Sequence, residues 1–174
     1  MAKWILVVFV SLFGMPLSGQ AQGTSSLKPD ELSTIYQTDT LIGFAKSLLG
    51  VPYRYGGITP EGFDCSGFVN YVYSSFGFSV PRSSADMADY GMEIPLDSCK
   101  KGDIILFAGS NAQKRPVGHS GIVISEIDEP VKFIHSATSN KRGIVITAFD
   151  AFDYYKSRFV KVIRVLNPLK DGSE

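Results

Sequence analysis

Neither charge sign is in excess in this 174-residue chain: 17 Lys and Arg stand against 17 Asp and Glu, for a formal net charge of zero. That balance excludes a global field drawing the protein to nucleic acid or an anionic membrane, and no basic arm is present. Glycine spacings of the P-loop or dinucleotide-binding kind are missing, as are internal repeats and low-complexity blocks, so phosphate cradles and solenoids have no support. Cysteine and histidine are scarce, with two of each. Any thiol or imidazole chemistry must therefore come from Cys65, Cys99, His119 and His135.

What is present describes a folded domain. Hydrophobic residues make up 44% and charged residues 20% of the chain, a globular balance, and the length suits one domain with a substantial core that needs no disulfide or metal. The long apolar run is N-terminal: Lys3, then Trp4 to Phe13, the breakers Gly14 and Pro16, and the small-x-small site Gly19-Gln20-Ala21. This predicts a secretory signal peptide over 1–21, cleaved after Ala21. The run is short for a bilayer span, and no nearby cysteine offers a lipid attachment site. The expectation is an exported protein, periplasmic or extracellular, with no membrane anchor after cleavage. Residues 22–30 read as a flexible leader, 31–168 as the domain and 169–174 as a tail.

Within the domain, apolar positions Leu32, Ile35, Leu41, Ile42, Ala45, Leu48 and Leu49 predict helix over 31–49, in one or two pieces, ended by Gly50 and Pro52. A glycine-rich loop, 53–62, leads to a second helix carrying Phe68, Val69, Val72, Tyr73 and Phe76 and stopped by Gly77. A short helix follows within 81–90, with Ser83 or Ser84 at its cap. Five β-rich runs are expected at 104–107, 120–125, 131–136, 143–147 and 159–166. The aromatic segment 148–157 reads as a short helix or a connection whose rings join the core. Helices first and strands afterwards predict α+β, with helices packed on an antiparallel sheet of about five strands.

The most informative dipeptide is Asp64-Cys65, in Phe63-Asp64-Cys65-Ser66-Gly67-Phe68-Val69. Asp64 is a helix cap and Cys65 lies in the first turn, where free N–H groups and the helix dipole favour thiolate. A small buried cysteine is the plainer reading, and a Cys65–Cys99 disulfide is the alternative that export raises. Both histidines fall in expected strands. If the connection Ile127-Asp128-Glu129 is an odd loop centred on Asp128, His119 opposes Ala137 and Gly121 opposes His135. The imidazoles then share one face as diagonal neighbours, whereas a one-residue slip separates them. Thiol, imidazole base and a residue holding the base's tautomer make up a cysteine acyl-transfer site. Oxyanion donors would be N–H groups at the helix start, with Tyr53 nearby. One cysteine and two histidines also number three zinc ligands, a reading that the Asp-Cys-Ser-Gly helix start does not favour.

Six segments, in order, resemble the motifs of the NlpC-type cell-wall cysteine peptidases of the NlpC/p60 superfamily. They are Gly50-Val51-Pro52-Tyr53-Arg54-Tyr55-Gly56-Gly57, the run at Cys65, Val80-Pro81-Arg82-Ser83-Ser84, Gly102-Asp103-Ile104-Ile105-Leu106-Phe107, Gly118-His119-Ser120-Gly121-Ile122 and Phe133-Ile134-His135-Ser136-Ala137. The resemblance implies a papain-like α+β fold and hydrolysis of peptidoglycan stem peptides at the bond between γ-D-glutamyl and a diamino acid such as meso-diaminopimelate. It implies Cys65 as nucleophile, His119 as base and His135 as the orienting residue, with no cofactor and no metal. Tyr53, Asp64 and Ser66 match substrate-lining positions, and a carboxylate like Asp64 can hold the free amine of an L-Ala-γ-D-Glu stem. Arg82 either contacts a substrate carboxylate or braces its loop. Ser120 departs from the pattern, standing where a β-branched residue is common, and Cys99 is an unusual thiol. The expected partner is peptidoglycan or a released muropeptide. An amidase or acyltransferase on the same fold and a catalytically silent wall-binding module are the rival readings.

Overall fold

The computed structural model describes residues 28–109, 116–138 and 143–166. The expected signal peptide, most of the leader, residues 110–115 and the tail lie outside the described residues.

Helix α1, Pro29–Ser47, is one continuous piece and begins inside the stretch read as a leader. Proline at its first position needs no N–H partner, and the Lys28 N–H donates to the Glu31 carboxylate at 3.0 Å, so the start is capped earlier than the apolar spacing suggests. Thr38, Leu41, Ile42 and Ala45 are its buried positions, and Leu48 at its C-cap is buried too. A two-residue hairpin, β1 (Ile58–Thr59) and β2 (Gly62–Phe63), sits inside the glycine-rich loop and delivers the chain to α2, Cys65–Ser74. Phe68, Val69, Val72 and Tyr73 of α2 are fully buried, and the Tyr73 hydroxyl donates to the Gly102 carbonyl at 2.5 Å. Helix α3, Ser84–Met87, is capped by Ser83, which accepts from the Asp86 N–H.

The remaining strands form one antiparallel sheet, β3 (Met92–Ile94), β4 (Ile104–Ala108), β5 (Val117–Val123), β6 (Lys132–Ala137), β7 (Gly143–Ala148) and β8 (Phe159–Arg164), in the order β3-β8-β4-β5-β6-β7. Among the described residues the sheet has six strands, against about five expected. The extra one, β3, has three residues, too few to display an alternation, and it exists through pairing with β8. The β5–β6 register pairs Ile122 with Ile134 and Val123 with Phe133. It is the register of an odd loop centred on Asp128, which adopts the left-handed conformation (φ 66°) that aspartate tolerates better than most residues.

Alternation divides the sheet's side chains between two cores. Ile104, Leu106, Ile122, Ile134 and Ile144 face α1 and α2, whereas Ile105, Phe107, Val123, Phe133 and Val162 pack with Cys99 and Phe149 on the other face. The second face is covered by a 3₁₀ turn, Phe149–Ala151, and helix α4, Asp153–Arg158. Here the expectation that the aromatics of 148–157 join the core is corrected in part, since Tyr155 does pack against the second core. Phe149 is buried, but Phe152 and Tyr154 are 57% and 59% exposed. Among the described residues no helix is long and apolar enough to cross a membrane.

Candidate active site

The start of α2 is built around Asp64. Its backbone is extended (φ −83°, ψ 177°) and its carboxylate accepts from the Gly67 N–H at 2.6 Å, the cap expected from sequence. Gly67 is required for close approach, because a Cβ there would lie 2.1 Å from the Gly57 carbonyl oxygen. Gly57 O in turn accepts from the Asp64 N–H at 3.1 Å, locking the glycine-rich loop to the helix start. Cys65 is thereby held as the first helical residue, half-buried, with Sγ 3.9 Å from the Gly118 carbonyl oxygen of β5.

The charge state of this thiol differs from the sequence-based expectation. Burial, and next the Asp64 carboxylate, push the thiol up, while the nearby N–H groups of Ser120 and Ser66 and the Ser120 hydroxyl pull the other way without prevailing. Desolvation thus works against the helix start and favours the neutral thiol.

The two histidines meet as the β5–β6 register requires. His119 Nε2 and His135 Nδ1 are 2.9 Å apart, with the rings nearly perpendicular at 86°. Gly121 makes the room, since a Cβ there would approach His135 Cβ to 3.1 Å and Phe133 to 2.9 Å. His135 Nε2 lies 3.0 Å from the Thr147 hydroxyl of β7 and 3.5 Å from that of Tyr155. With His119 Nε2 occupied, Nδ1 is the nitrogen free to take a proton. The chain that permits this runs from His119 Nε2–H to His135 Nδ1 and from His135 Nε2–H to Thr147 Oγ1.

Burial draws His119 down to about 4 and takes His135 well below the ordinary 6.5, the second also through its neighbour His119. An unfolded chain would bind protons at both rings near 6.5, so below that pH it holds more protons than the folded protein. Stability is then fully present above about 6.5 and is lost as pH falls toward 4. Urea midpoints are expected to fall between neutral pH and pH 4, with a smaller fall in His135→Gln. Equal pH dependence in the two proteins would contradict the assignment to these rings.

A cleft of about 570 Å³ opens beside this constellation, lined by Tyr53, Cys65, His119, Thr147, Tyr155 and Arg158 among others. His135 is fully buried behind His119. Asp64, Ser66 and Arg82 form a separate hydrogen-bonded group at the helix start. The Arg82 guanidinium spans Asp64 Oδ1 and Oδ2 at 3.1 and 2.7 Å and donates to Ser66 Oγ at 2.9 Å. Of the four expected substrate-binding residues, Tyr53 is the one that lines the cleft with Cys65, and Arg82 has the bracing contacts of its alternative reading.

The NlpC/P60 family model matches residues 50–164, a span that carries every one of these side chains. The chain belongs to the NlpC/P60 family. It is 29% identical over 164 residues to the gamma-DL-glutamyl hydrolase of Bacillus subtilis (strain 168), covering 94% of this chain and 36% of the relative. It is 36% identical over 120 residues to the murein DD-endopeptidase MepS/murein LD-carboxypeptidase of Escherichia coli (strain K12), covering 68% and 57%. Its fold resembles that of an NlpC/P60 family protein from Bacillus cereus ATCC 10987, with a TM-score of 0.67 at 32% identity over 75% of this chain and 40% of that one. The chain thus spans less than two thirds of each relative's length. The papain-like α+β architecture expected from the motifs is the one observed.

In this NlpC/P60 domain three cleft residues escaped sequence reasoning. Thr147 reaches His135 diagonally across the β6–β7 pair, in which Thr147 opposes Phe133 and His135 opposes Val145. Tyr155 and Arg158 come from α4, which the aromatic-core expectation had turned inward. The Arg158 guanidinium donates to the carbonyls of Ala108 and Gly109 and lies 4.6 Å from the Tyr154 ring centroid. A strand threonine and a helix arginine carry no local motif; the exposed aromatics beside them were the available signal. Both cysteines are free thiols, Cys99 being buried in the second core with its thiol pushed up to about 11 by desolvation. Among the described residues no group of three or more His, Cys, Asp or Glu is arranged to hold a metal ion.

Proposed function

We propose that the protein is an exported cysteine endopeptidase of peptidoglycan stem peptides, cutting the bond from γ-D-glutamyl to a diamino acid such as meso-diaminopimelate. The observation that carries this reading is one cleft shared by a helix-start thiol and an imidazole whose far nitrogen is engaged by a second histidine. The relatives named as a gamma-DL-glutamyl hydrolase and a murein endopeptidase support the substrate class. The N-terminal pattern supports export.

In this mechanism His119 Nδ1 takes the Cys65 proton as the sulfur attacks the γ-carbonyl carbon. The tetrahedral oxyanion faces N–H groups of the first turn of α2, which have no intrahelical acceptors, and the Tyr53 hydroxyl. Collapse expels the diamino acid's amine, which receives the proton from His119, and leaves a γ-glutamyl thioester on Cys65. Water, deprotonated by the same imidazole, then releases the acid and restores the thiol.

Digestion of defined muropeptides followed by mass spectrometry tests this reading, with new termini expected between D-glutamate and the diamino acid. Cleavage elsewhere, or release of an amide alone, would replace the endopeptidase by another acyl transferase. The same peptides, with free and blocked N-termini, examine Asp64. As a cap alone, Asp64→Asn changes little, since asparagine caps as well as aspartate, and it loses only the ion pair with Arg82, about 0.5 kcal/mol at this part-exposed site and so a small drop in melting temperature. As the reader of a free amine it also lowers the ratio of amine-ended to blocked cleavage by about 10-fold, the loss of one charge-assisted contact. A wild-type ratio in a variant that melts lower would leave Asp64 as a cap and a partner for Arg82.

A further inference from the structure

Ser120 follows His119 on β5 and therefore faces the opposite side of the sheet. Its ladder partner Leu106 belongs to the core beneath α1 and α2, so the Ser120 side chain lies under the helix that begins at Cys65. It is fully buried, and its hydroxyl has no hydrogen-bond partner among the described residues. Buried hydroxyls are nearly always paired, because an unpaired one has given up water for nothing. A valine or isoleucine at this strand position would carry no such cost. An unpaired donor this deep is explained if its acceptor exists during one stage of the reaction and not at rest.

That acceptor is at hand. Cys65 Sγ lies against the Gly118 carbonyl, two residues earlier on the same strand, and both the N–H and the hydroxyl of Ser120 are placed to favour a thiolate there. The other groups facing the sulfur work differently. Asp64 opposes the negative charge while paired with Arg82, Tyr53 carries its own neutral hydroxyl, and His119 is the proton acceptor.

We propose that the Ser120 hydroxyl is a reserved donor for the Cys65 sulfur, idle against the neutral thiol and hydrogen-bonded to the thiolate. The proton that leaves Sγ goes to His119 Nδ1. Ser120 keeps its own proton throughout and contributes an O–H···S⁻ bond. The sulfur's electron pair then forms the C–S bond, and when water cleaves the thioester the pair returns to sulfur and meets the same donor. The assignment rests on Cys65 as the nucleophile of the proposed reaction.

The test uses Cys99→Ser protein, so that one thiol is read, and compares Ser120 with Ser120→Ala and with the near-isosteric pair Ser120→Thr and Ser120→Val. Iodoacetamide alkylation of Cys65 is followed against pH, alongside melting temperature and stem-peptide kcat/KM. In Ser120→Ala the alkylation curve is expected to move to higher pH, with alkylation near neutrality about 10-fold slower, the equivalent of one pKa unit. kcat/KM should fall similarly, while the melting temperature holds or rises because an unsatisfied hydroxyl is gone. Ser120→Thr should alkylate faster than Ser120→Val, whatever the added methyl does to stability. Unchanged alkylation in Ser120→Ala, equal curves for Thr and Val, or a Ser120→Ala protein that fails to fold would each overturn the proposal. Should the wild type cleave no stem peptide, the proposed function fails, yet the alkylation curves still decide the role of Ser120.

Discussion

Cys65→Ala is expected to abolish turnover, a loss on the order of 10⁶-fold as when a triad nucleophile is deleted, while the protein folds as before. The size of the effect follows from what is removed. No other side chain in the cleft carries a nucleophile of comparable strength, and the second thiol, Cys99, is buried in the core on the sheet's far face. The absence of a structural penalty follows from the local contacts. Cys65 is half-buried, its sulfur reaches the Gly118 carbonyl only at the long distance of 3.9 Å, and alanine suits the first turn of a helix. The change in stability should stay within about 0.5 kcal/mol, the ordinary range for a substitution that breaks no specific feature. Paired melting curves and muropeptide assays provide the check. Residual turnover near the wild-type rate in folded Cys65→Ala would falsify a cysteine mechanism on this domain.

The second large effect is the unequal loss at the two histidines. In the proposed mechanism His119 accepts and returns a proton, so His119→Gln should lose about 10²–10⁴-fold in kcat, the contribution of a positioned general base. His135 has a different task. Its Nδ1 receives the N–H of His119 and its Nε2 reaches the Thr147 hydroxyl. A glutamine can reproduce both ends, its carbonyl accepting from His119 and its amide donating to Thr147, so His135→Gln should retain measurable activity. His135→Ala should lose far more, because it frees the His119 tautomer and opens a cavity at a fully buried position. Thr147→Val is expected to show the smallest decrease of the series. Steady-state kinetics on one peptide, with melting temperatures for each variant, orders the four. His135→Gln as inactive as His119→Gln would overturn the division of labour.

A neutral resting pair bears on how these measurements are read. With the thiol raised and the imidazole drawn down, the proposed mechanism has thiolate made during the attack and not stored before it. Alkylation of Cys65 thus reports donors such as Ser120 directly, whereas turnover reports them together with His119.

The sequence alone determined what short-range spacing can determine. Asp64 just ahead of the helical spacing Phe68, Val69, Val72, Tyr73 and Phe76 implies a capped helix with Cys65 in its first turn. An odd loop centred on Asp128 places His119 and His135 on one face, because side chains alternate with a period of two. Six motifs in order pointed to the family, and those elements stand in the structure. Tertiary structure decided the rest. The three-residue β3 exists by pairing with β8, which no local pattern announces. Phe152 and Tyr154 turn outward while Phe149 is buried in the second core, a division that the run of aromatics does not show. Thr147, Tyr155 and Arg158 reach the cleft from segments beyond both histidine strands, and an isolated polar residue on a strand or helix does not show what lies opposite it. The protonation of Cys65 is the clearest case. Helix position argued for thiolate, but the charge a group carries depends on how much water the surrounding chain removes, and desolvation is a property of the packed molecule, not of neighbouring residues.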